Sequence, residues 1–363
     1  MNAKTPKDYD RHLRRPPGHR VDNHRWTVKF PENVTRVCTL YLGVQSHAAP
    51  ENVRILAEQR IDNYLEEQSY PPDVVEVFRT TAGNDVVSSK VWVAHWTRPT
   101  DFISKMEQLN LRQIWGELGP SRDKIGLWRE QFAVPLQRLQ TNYSREHYRP
   151  GLASLPDVTH PTHDYTEYWG AGRDRLEASA NDLFETPTPL RPPPVRSSGF
   201  GQHLFGSNYD NMCHIRSGQR WKECDKEECE AYENNLQRVL MTGMRYLWEN
   251  PEETGSIGLR MARRVTRDDR LVKETSVMGF HRNWSDLEKW SSRHPSHLAI
   301  FSGSVRHGKR FGENRKFMTW QEVAILKAGE ATFEYLNCDP RTGVILWVDL
   351  ASQSLATFEK SVL

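Results

Sequence analysis

The chain has 363 residues, a length that allows two or three ordinary domains or one duplicated unit. Its net charge is only +2, so it lacks the basic surplus typical of nucleic-acid-binding and membrane-surface proteins. The mean hydropathy of −0.74 is low, but 10% aromatic residues, among them 12 tryptophans, argue against a disordered chain.

The predicted elements divide the chain into four segments. Residues 1–25 are a polar N-terminal arm, and residues 26–185 are a first half in which strand-length apolar runs alternate with helical patterns. Residues 186–201 carry five prolines, which exclude regular helix and central strand, so they form a connection to the second half, residues 202–363. The predicted strands are Val37–Val44, Val74–Thr80, Val91–Trp96, Asn211–Ile215 and Thr275–His281, and the predicted helices are Asn52–Gln68, Lys226–Glu249 and two that begin near Asp101 and Trp284.

The two halves contain a weak internal repeat. In each, a strand leads through a short connection into a helix: Val91–Trp96 precedes Asp101, and Thr275–His281 precedes Trp284. This repetition predicts an α+β fold of duplicated units, whose sheets pack face to face or close into a barrel.

Five cysteines and 14 histidines set bounds on the chemistry. The cysteines are odd in number and scattered, which excludes a disulfide framework and a tetrathiolate zinc site, so histidine is the expected ligand of any metal. The first 20 residues are basic but lack an apolar segment, and the longest apolar runs are too short to span a bilayer. We therefore expect a cytoplasmic protein without nucleic-acid or membrane partners.

Several common catalytic motifs are missing from the sequence. There is no GxGxxG, no Walker A loop, no GxSxG elbow and no HExxH, which disfavours the usual nucleotide-binding, serine-hydrolase and zincin functions.

Two histidines in the string His294-Pro-Ser-His297 are the first candidate ligands. Neutral imidazole binds iron or zinc well, and His297 leads into the apolar stretch Leu298–Phe301, as a buried ligand requires. The alternative is a pair of partly exposed loop histidines, and the similar string His160-Pro-Thr-His163 in the first half shows how common such a string is.

Two further polar segments belong either to a functional site or to ordinary solvent-exposed turns and loops. Ser217 lies beside Gly218 after a predicted strand, so its hydroxyl can point into a cavity or belong to an ordinary turn. The run Arg306–Arg310, with Arg315 and Lys316, is a predicted basic loop that is solvated or binds carboxylates or phosphates.

Several short blocks, in this order along the chain, resemble the haem-containing aldoxime dehydratases. The resemblance extends from about Tyr41 to Gly343, and a set of ordered blocks is more specific than any one of them. The blocks are Tyr41–Gln45, Trp128–Glu130, Tyr168–Gly170 with Arg173 and Arg175, Asp210–Asn211 with Ile215–Gln219, Leu287–Trp290 with His294–Leu298, and Glu334–Cys338 with Pro340 and Thr342–Gly343.

The resemblance implies a fold and a reaction. The fold is α+β, with duplicated ferredoxin-like units similar to a dimeric α+β barrel, a β-sheet core, surrounding helices and a buried haem b. The reaction is the dehydration of an aldoxime, R-CH=N-OH, to a nitrile by a hydro-lyase, with the oxime nitrogen coordinated to ferrous haem. The implied partners are a small aldoxime substrate and a second copy of the chain in a homodimer.

The resemblance also implies roles for individual residues. His297 is the proximal iron ligand, and Ser217 hydrogen-bonds the oxime hydroxyl. Arg175 belongs to the distal pocket, with Arg173 as the alternative match. These groups suit the chemistry, because the oxime oxygen must be protonated as the N–O bond breaks and a base must take the carbon-bound proton.

The sequence departs from the family at the distal acid–base position. Gln321 stands where the family has a histidine, and Gln140 stands near the place of the glutamate that pairs with it. A glutamine cannot relay a proton at neutral pH. His307 is one candidate substitute, and Arg175 together with Glu322 is another.

Three hypotheses follow from this departure. The first is an aldoxime dehydratase, and the second is a haem enzyme of the same fold with other N–O or peroxidase-like chemistry, because Gln321 replaces the distal histidine. The third is a haem-binding sensor without catalytic activity.

Overall fold

The computed structural model describes residues 13–186 and 197–355. Within them, fourteen strands form one antiparallel sheet. The strands are β1 (Arg25–Trp26), β2 (Arg36–Ser46), β3 (Val74–Gly83), β4 (Lys90–Trp96), β5 (Ile125–Pro135), β6 (Leu139–Tyr143), β7 (Thr162–His163), β8 (Gln202–Ser207), β9 (Met212–Arg220), β10 (Arg260–Val265), β11 (Leu271–His281), β12 (Met318–Leu326), β13 (Ala331–Leu336) and β14 (Ala351–Ser354).

Helices connect the strands of each half. They are α1 (Glu51–Glu66), α2 (Pro99–Gln108), α3 (Leu111–Gly116), α4 (Ala171–Asp174), α5 (Lys226–Ala231), α6 (Gln237–Glu249), α7 (Pro251–Thr254), α8 (Trp284–Arg293) and α9 (Pro295–Phe311). A π-helical turn at Tyr232–Leu236 joins α5 to α6, so the predicted helix Lys226–Glu249 is one continuous helical run. Across the described residues, no helix has the length and apolar character needed to cross a membrane.

The strand order runs β14-β8-β13-β5-β2-β4-β3-β10-β11-β9-β12-β6-β1-β7. Its centre contains two four-strand groups, β5-β2-β4-β3 and β10-β11-β9-β12, which meet where β3 pairs with β10. Each group is extended by strands from the other half of the chain, because β13 pairs with β5 and β6 pairs with β12. The two halves are therefore joined both at the middle of the sheet and at its outer strands.

The burial pattern explains the strands that the sequence predicts best. In β2 the nine residues from 37 to 45 are all buried, because the strand is covered on both faces, and this gives the continuous apolar run. In β12, by contrast, half-buried Thr319 and Gln321 alternate with buried Trp320 and Glu322, so its two faces have different environments.

Several local predictions are corrected by the structure. The Ile215–Gln219 string is not a turn but the body of β9, because it pairs with β11 and β12 on its two sides. The basic run 306–310 is not a loop but the end of α9, since Lys and Arg are good helix formers and Arg310 reaches Glu227 across the surface at 2.8 Å.

Two other predicted features differ in their packing. The stretch after His297 is not deeply buried: Phe301 is 48% exposed, because only one side of α9 packs against the protein. The described part of the N-terminal arm packs on the 166–174 segment, where Arg14 pairs with Asp174 at 3.3 Å and His19 contacts the Thr166 carbonyl. Residues 1–12 of the predicted arm, 187–196 of the proline-rich connection and 356–363 of the second half lie outside the described residues.

Candidate functional site

A cavity of about 480 Å³ lies between the sheet and the helices of the second half. One wall is formed by β9, β12 and β6, the opposite wall by α6, α8 and α9, and the segment around α4 closes one side. Its volume is in the range of small-molecule and cofactor sites. Ser217, Arg175, Gln321 and His297, the four residues predicted for the site, all line it.

The helical wall carries His297 in the first turn of α9. Proline at the first helical position and the capping side chain of His294, which accepts from the Ser296 N–H, begin the helix here. The first histidine of the string thus has a capping role. The second, His297, faces the cavity and packs its ring edge to face on Trp290, with 4.7 Å between ring centroids.

The His297 imidazole is suited to act as a neutral ligand. Burial lowers its pKa, an effect that the neighbouring Ser291 carbonyl opposes. Its Nδ1 is buried and has no hydrogen-bond partner of good geometry among the described residues. A neutral imidazole, which has a lone pair on one ring nitrogen, is the form that binds a metal.

The sheet wall presents a row of neutral polar side chains. Gln321 of β12 lies directly opposite Ser217 of β9 on one side and Asn142 of β6 on the other. Because side chains alternate between the faces of a strand, this register brings all three onto the cavity side. The Asn142 side-chain oxygen contacts Nε2 of His163 at 3.1 Å.

Arg175 stands beside this row, at the end of α4. Its Nε donates to Gln140 Oε1 at 2.6 Å and its Nη1 to the Tyr165 carbonyl at 2.7 Å. Burial and the charge of Arg25 lower the pKa of Arg175 to about 10. Arg173, the alternative match, points away and pairs with Glu288 at 2.9 Å. The cavity-facing arginine of the two is therefore Arg175.

Glu322, which follows Gln321, points to the opposite face of β12. Its carboxylate accepts from the Tyr143 hydroxyl at 2.8 Å and from the Leu152 N–H at 2.7 Å. Burial raises the pKa of Glu322 to about 7. The strand separates this carboxyl from the cavity, so Glu322 cannot share proton transfer with Arg175 by direct contact.

His307 is not brought to the cavity either. It lies ten residues after His297, roughly 15 Å further along α9, on another side of the helix. There it is buried and its Nε2 contacts Glu228 at 3.1 Å. His307 therefore contributes to the contact between α5 and α9 and is not a substitute for the distal histidine.

Three cavity residues were missed by sequence reasoning: His281, Asn142 and Arg25. His281 ends β11 and is buried, and neither ring nitrogen has a hydrogen-bond partner among the described residues. Burial lowers its pKa to about 3. His281 closes the strand Thr275–His281, which was a usable signal, whereas Asn142 and Arg25 come from short strands without a clear pattern.

The residues of the cavity fit a haem. A haem needs an apolar envelope for its ring, an axial ligand on one side and an access space on the other. The cavity offers an imidazole on the helical wall, small polar groups on the sheet wall and aliphatic side chains between them, namely Leu240, Met244, Leu247, Leu287 and Ile300. Two imidazoles reach the cavity, and His297, in the α9 string, is the one with an accessible position opposite the polar row.

Comparison with known proteins shows which proteins the chain is similar to. A model of the family described as haem-containing dehydratase matches residues 40–344. Phenylacetaldoxime dehydratase of Bacillus sp. (strain OxB-1) is 29% identical over 332 residues, covering 91% of this chain and 93% of that protein. Aliphatic aldoxime dehydratase of Pseudomonas chlororaphis is 27% identical over 322 residues, covering 88% and 90%.

Solved structures share the fold. A crystal structure of aldoxime dehydratase superposes with a TM-score of 0.81 at 25% identity and covers 96% of this chain and 97% of that one. An aldoxime dehydratase co-crystallised with butyraldoxime gives a TM-score of 0.79 at 24% identity, with 92% of both chains covered.

Proposed function

Because the chain belongs to the haem-containing dehydratase family, we propose that it uses haem b to dehydrate an aldoxime to a nitrile, as a hydro-lyase. The observation that carries the proposal is the pair of facing walls. His297 stands on one side of the cavity, and the row of Ser217, Gln321 and Asn142 stands on the other.

His297 would hold the haem iron, and ferrous haem, when bound there, would supply a Lewis acid for the oxime nitrogen. Opposite it, the Ser217 hydroxyl donates to the oxime oxygen, where negative charge develops as the N–O bond breaks. The Arg175 guanidinium adds positive charge on the same side, held in place by Gln140 and the Tyr165 carbonyl.

The amides at positions 321 and 140 orient the substrate but do not exchange protons. Gln321 can donate a hydrogen bond to the oxime oxygen and accept one from its hydroxyl. Water in the cavity, beside Ser217 and Arg175, must then both supply the proton that leaves with the oxygen and take the carbon-bound proton, so that nitrile and water are formed. We therefore expect a slow dehydratase, since a positioned acid–base side chain usually contributes about 10²–10⁴-fold.

Reconstitution with haem tests the cofactor and the ligand together. We expect a Soret band in the wild type, and we expect the His297→Ala variant to lose the signature of axial histidine. His281→Ala is the matched variant, because it removes the other imidazole of the cavity. Loss of ligation in His281→Ala with retention in His297→Ala would show that His281 is the ligand and that the assignment to His297 is wrong.

Incubation of the ferrous protein with phenylacetaldoxime and with an aliphatic aldoxime, without oxygen, tests the reaction. Nitrile in the product, measured by gas chromatography, supports dehydration. The neutral amides at 321 and 140 favour one second candidate, a haem enzyme with other N–O or peroxidase-like chemistry. That candidate predicts spectral binding of the oxime without nitrile, and turnover with a peroxide instead.

We also propose that the two halves, 26–185 and 202–363, are duplicated ferredoxin-like units. The proposal is supported by the strand orders β5-β2-β4-β3 and β12-β9-β11-β10, which are the same when each half is numbered from its own first strand. We further propose that the protein is cytoplasmic, in keeping with its five free cysteines, four of them buried. We also propose that it forms a homodimer, as the family resemblance implies. Light scattering after size-exclusion chromatography tests the dimer.

A further inference from the structure

Arg25 brings a positive charge to the cavity from an unexpected part of the chain. It belongs to the short strand β1, which lies between β6 and β7 near one end of the sheet and at the end of the predicted N-terminal arm, and it lies opposite His163 of β7. Its side chain lines the same cavity as Ser217 and Arg175. Among the described residues its side chain makes one long hydrogen bond, a donation from Nη1 to the Thr319 hydroxyl at 3.4 Å.

Neither Arg25 nor Arg175 is neutralised within the described part of the chain, where no carboxylate oxygen comes within 4.0 Å of either guanidinium. The acid beside Arg25 on the cavity rim, Glu167, is already committed: it accepts from the backbone N–H groups of Asp22 and Asn23 and from the Asn23 amide. Other arginines nearby are paired, as Arg173 is with Glu288 and Arg14 with Asp174.

Two unpaired cations in one partly buried cavity carry a desolvation cost. Burial and the charge of Arg315 lower the pKa of Arg25 to about 10, and the charge of Glu167 opposes this only in part. The charge of Arg25 acts in turn on Arg175. An anion placed between the sheet wall and β1 would relieve both effects.

We propose that Arg25 is a carboxylate-binding residue of this cavity, with Arg175 reinforcing it. The Nε and Nη2 groups of Arg25 make no hydrogen bond to the described residues, and they form the fork that binds a carboxylate through two parallel bonds. The carboxylate belongs either to a haem propionate or to a substrate that carries an acidic group. The inference rests on the proposed function to the extent that haem and an aldoxime share the cavity.

The first arm of the test compares haem with haem dimethyl ester, in which the propionates are neutral. Apoprotein is titrated with each, and the Soret absorbance gives two dissociation constants. If a propionate is the ligand, the wild type favours haem over its ester, and Arg25→Gln reduces that preference by about tenfold or more, as loss of a charge-assisted hydrogen bond predicts. Arg25→Lys keeps the charge without the fork and retains part of the preference.

The second arm compares 4-carboxybenzaldoxime with its methyl ester on the ferrous haem-loaded protein. The spectral shift on oxime binding gives the affinities. If the substrate supplies the carboxylate, the wild type favours the acid, and Arg25→Gln removes the preference by about tenfold. Arg20→Gln is the matched control, an exposed arginine of the same segment outside the cavity lining, and it keeps the wild-type ratio in both arms.

The results separate this proposal from the proposed function. The carboxylate site would be overturned if the ratio of acid to ester affinity is the same in the wild type and in both Arg25 variants, for haem and for the oxime. This holds even if nitrile is formed. Haem binding without nitrile formation would overturn the dehydratase function alone, because the binding ratios are measured without turnover.

Discussion

The two faces of the β9–β12 pair have opposite chemistry, although their residues alternate in the sequence. On the cavity face, Ser217 and Gln321 are neutral and half-buried. On the other face, Arg216 and Glu322 are buried within a charged cluster that includes Glu76, whose carboxylate accepts from Arg216 at 2.6 Å. One face is open to a ligand, and the other face is already satisfied by partners from the first half of the chain.

The difference shows how polar side chains can face a cavity without weakening the fold. Arg216 stacks over the Trp320 ring at 4.8 Å and fixes β9 against β12 from behind. Ser217 and Gln321 can then present donors to the cavity without holding the strands together. Changes on the core face should act on stability, and changes on the cavity face should act on chemistry.

The largest expected effect is on the core face. Arg216→Met removes the cation between Glu76 and Glu322, and Glu76 keeps only Arg264, at 3.0 Å. We expect the free energy of unfolding to fall by about 3–5 kcal/mol, because a buried carboxylate loses its main partner. Denaturant unfolding of the apoprotein measures it, and a change below about 1 kcal/mol would remove the proposed contrast between the faces.

Ser217→Ala is the corresponding change on the cavity face. We expect nitrile formation to fall about 10²–10³-fold, the usual cost of one lost donor to a developing negative charge. Stability should change by less than about 0.5 kcal/mol, since this hydroxyl has no hydrogen-bond partner in the part of the chain that the structure describes. Equal losses of stability and activity would mean that Ser217 has a structural role.

Gln321→His restores a titratable group to the same row. Neutral imidazole can take and return a proton near pH 7, so we expect kcat to rise about 10²-fold. Gln321→Asn serves as the control, because it alters the side chain without adding a proton carrier. A rate that is unchanged in Gln321→His would indicate that proton transfer does not limit turnover.

A pH dependence of stability is also expected on the core face. The pKa of Glu322 is raised to about 7 from an ordinary value of 4.5, so the folded protein binds this proton more tightly than the unfolded chain. Its contribution to stability is fully present below about pH 4.5 and is lost as the pH rises through 7. The melting temperature of the wild type minus that of Glu322→Gln should therefore fall between pH 4.5 and 7.5, and a flat difference would contradict the assignment.

The cavity positions of two site residues were predictable because each residue belongs to a short, recognisable sequence string. The string around His297 and the one around Ser217 are local, and both residues reach the cavity as expected. Other local predictions were wrong because they depend on tertiary contacts. Ile215–Gln219 lies inside a strand, and His307 faces Glu228. Pairing partners distant in the sequence settle such cases, and a single sequence does not display them.

The sequence by itself determined the alternation of strands and helices, because apolar periodicity is local, and it determined the family through ordered blocks. Only the tertiary structure decided which side chains share the cavity. Asn142 lies beside Gln321 through strand register, Glu322 is removed from the cavity by the two-residue repeat of β12, and Arg25 arrives from the two-residue strand β1. These placements depend on contacts between segments up to roughly 300 residues apart, where packing rather than local preference sets the geometry.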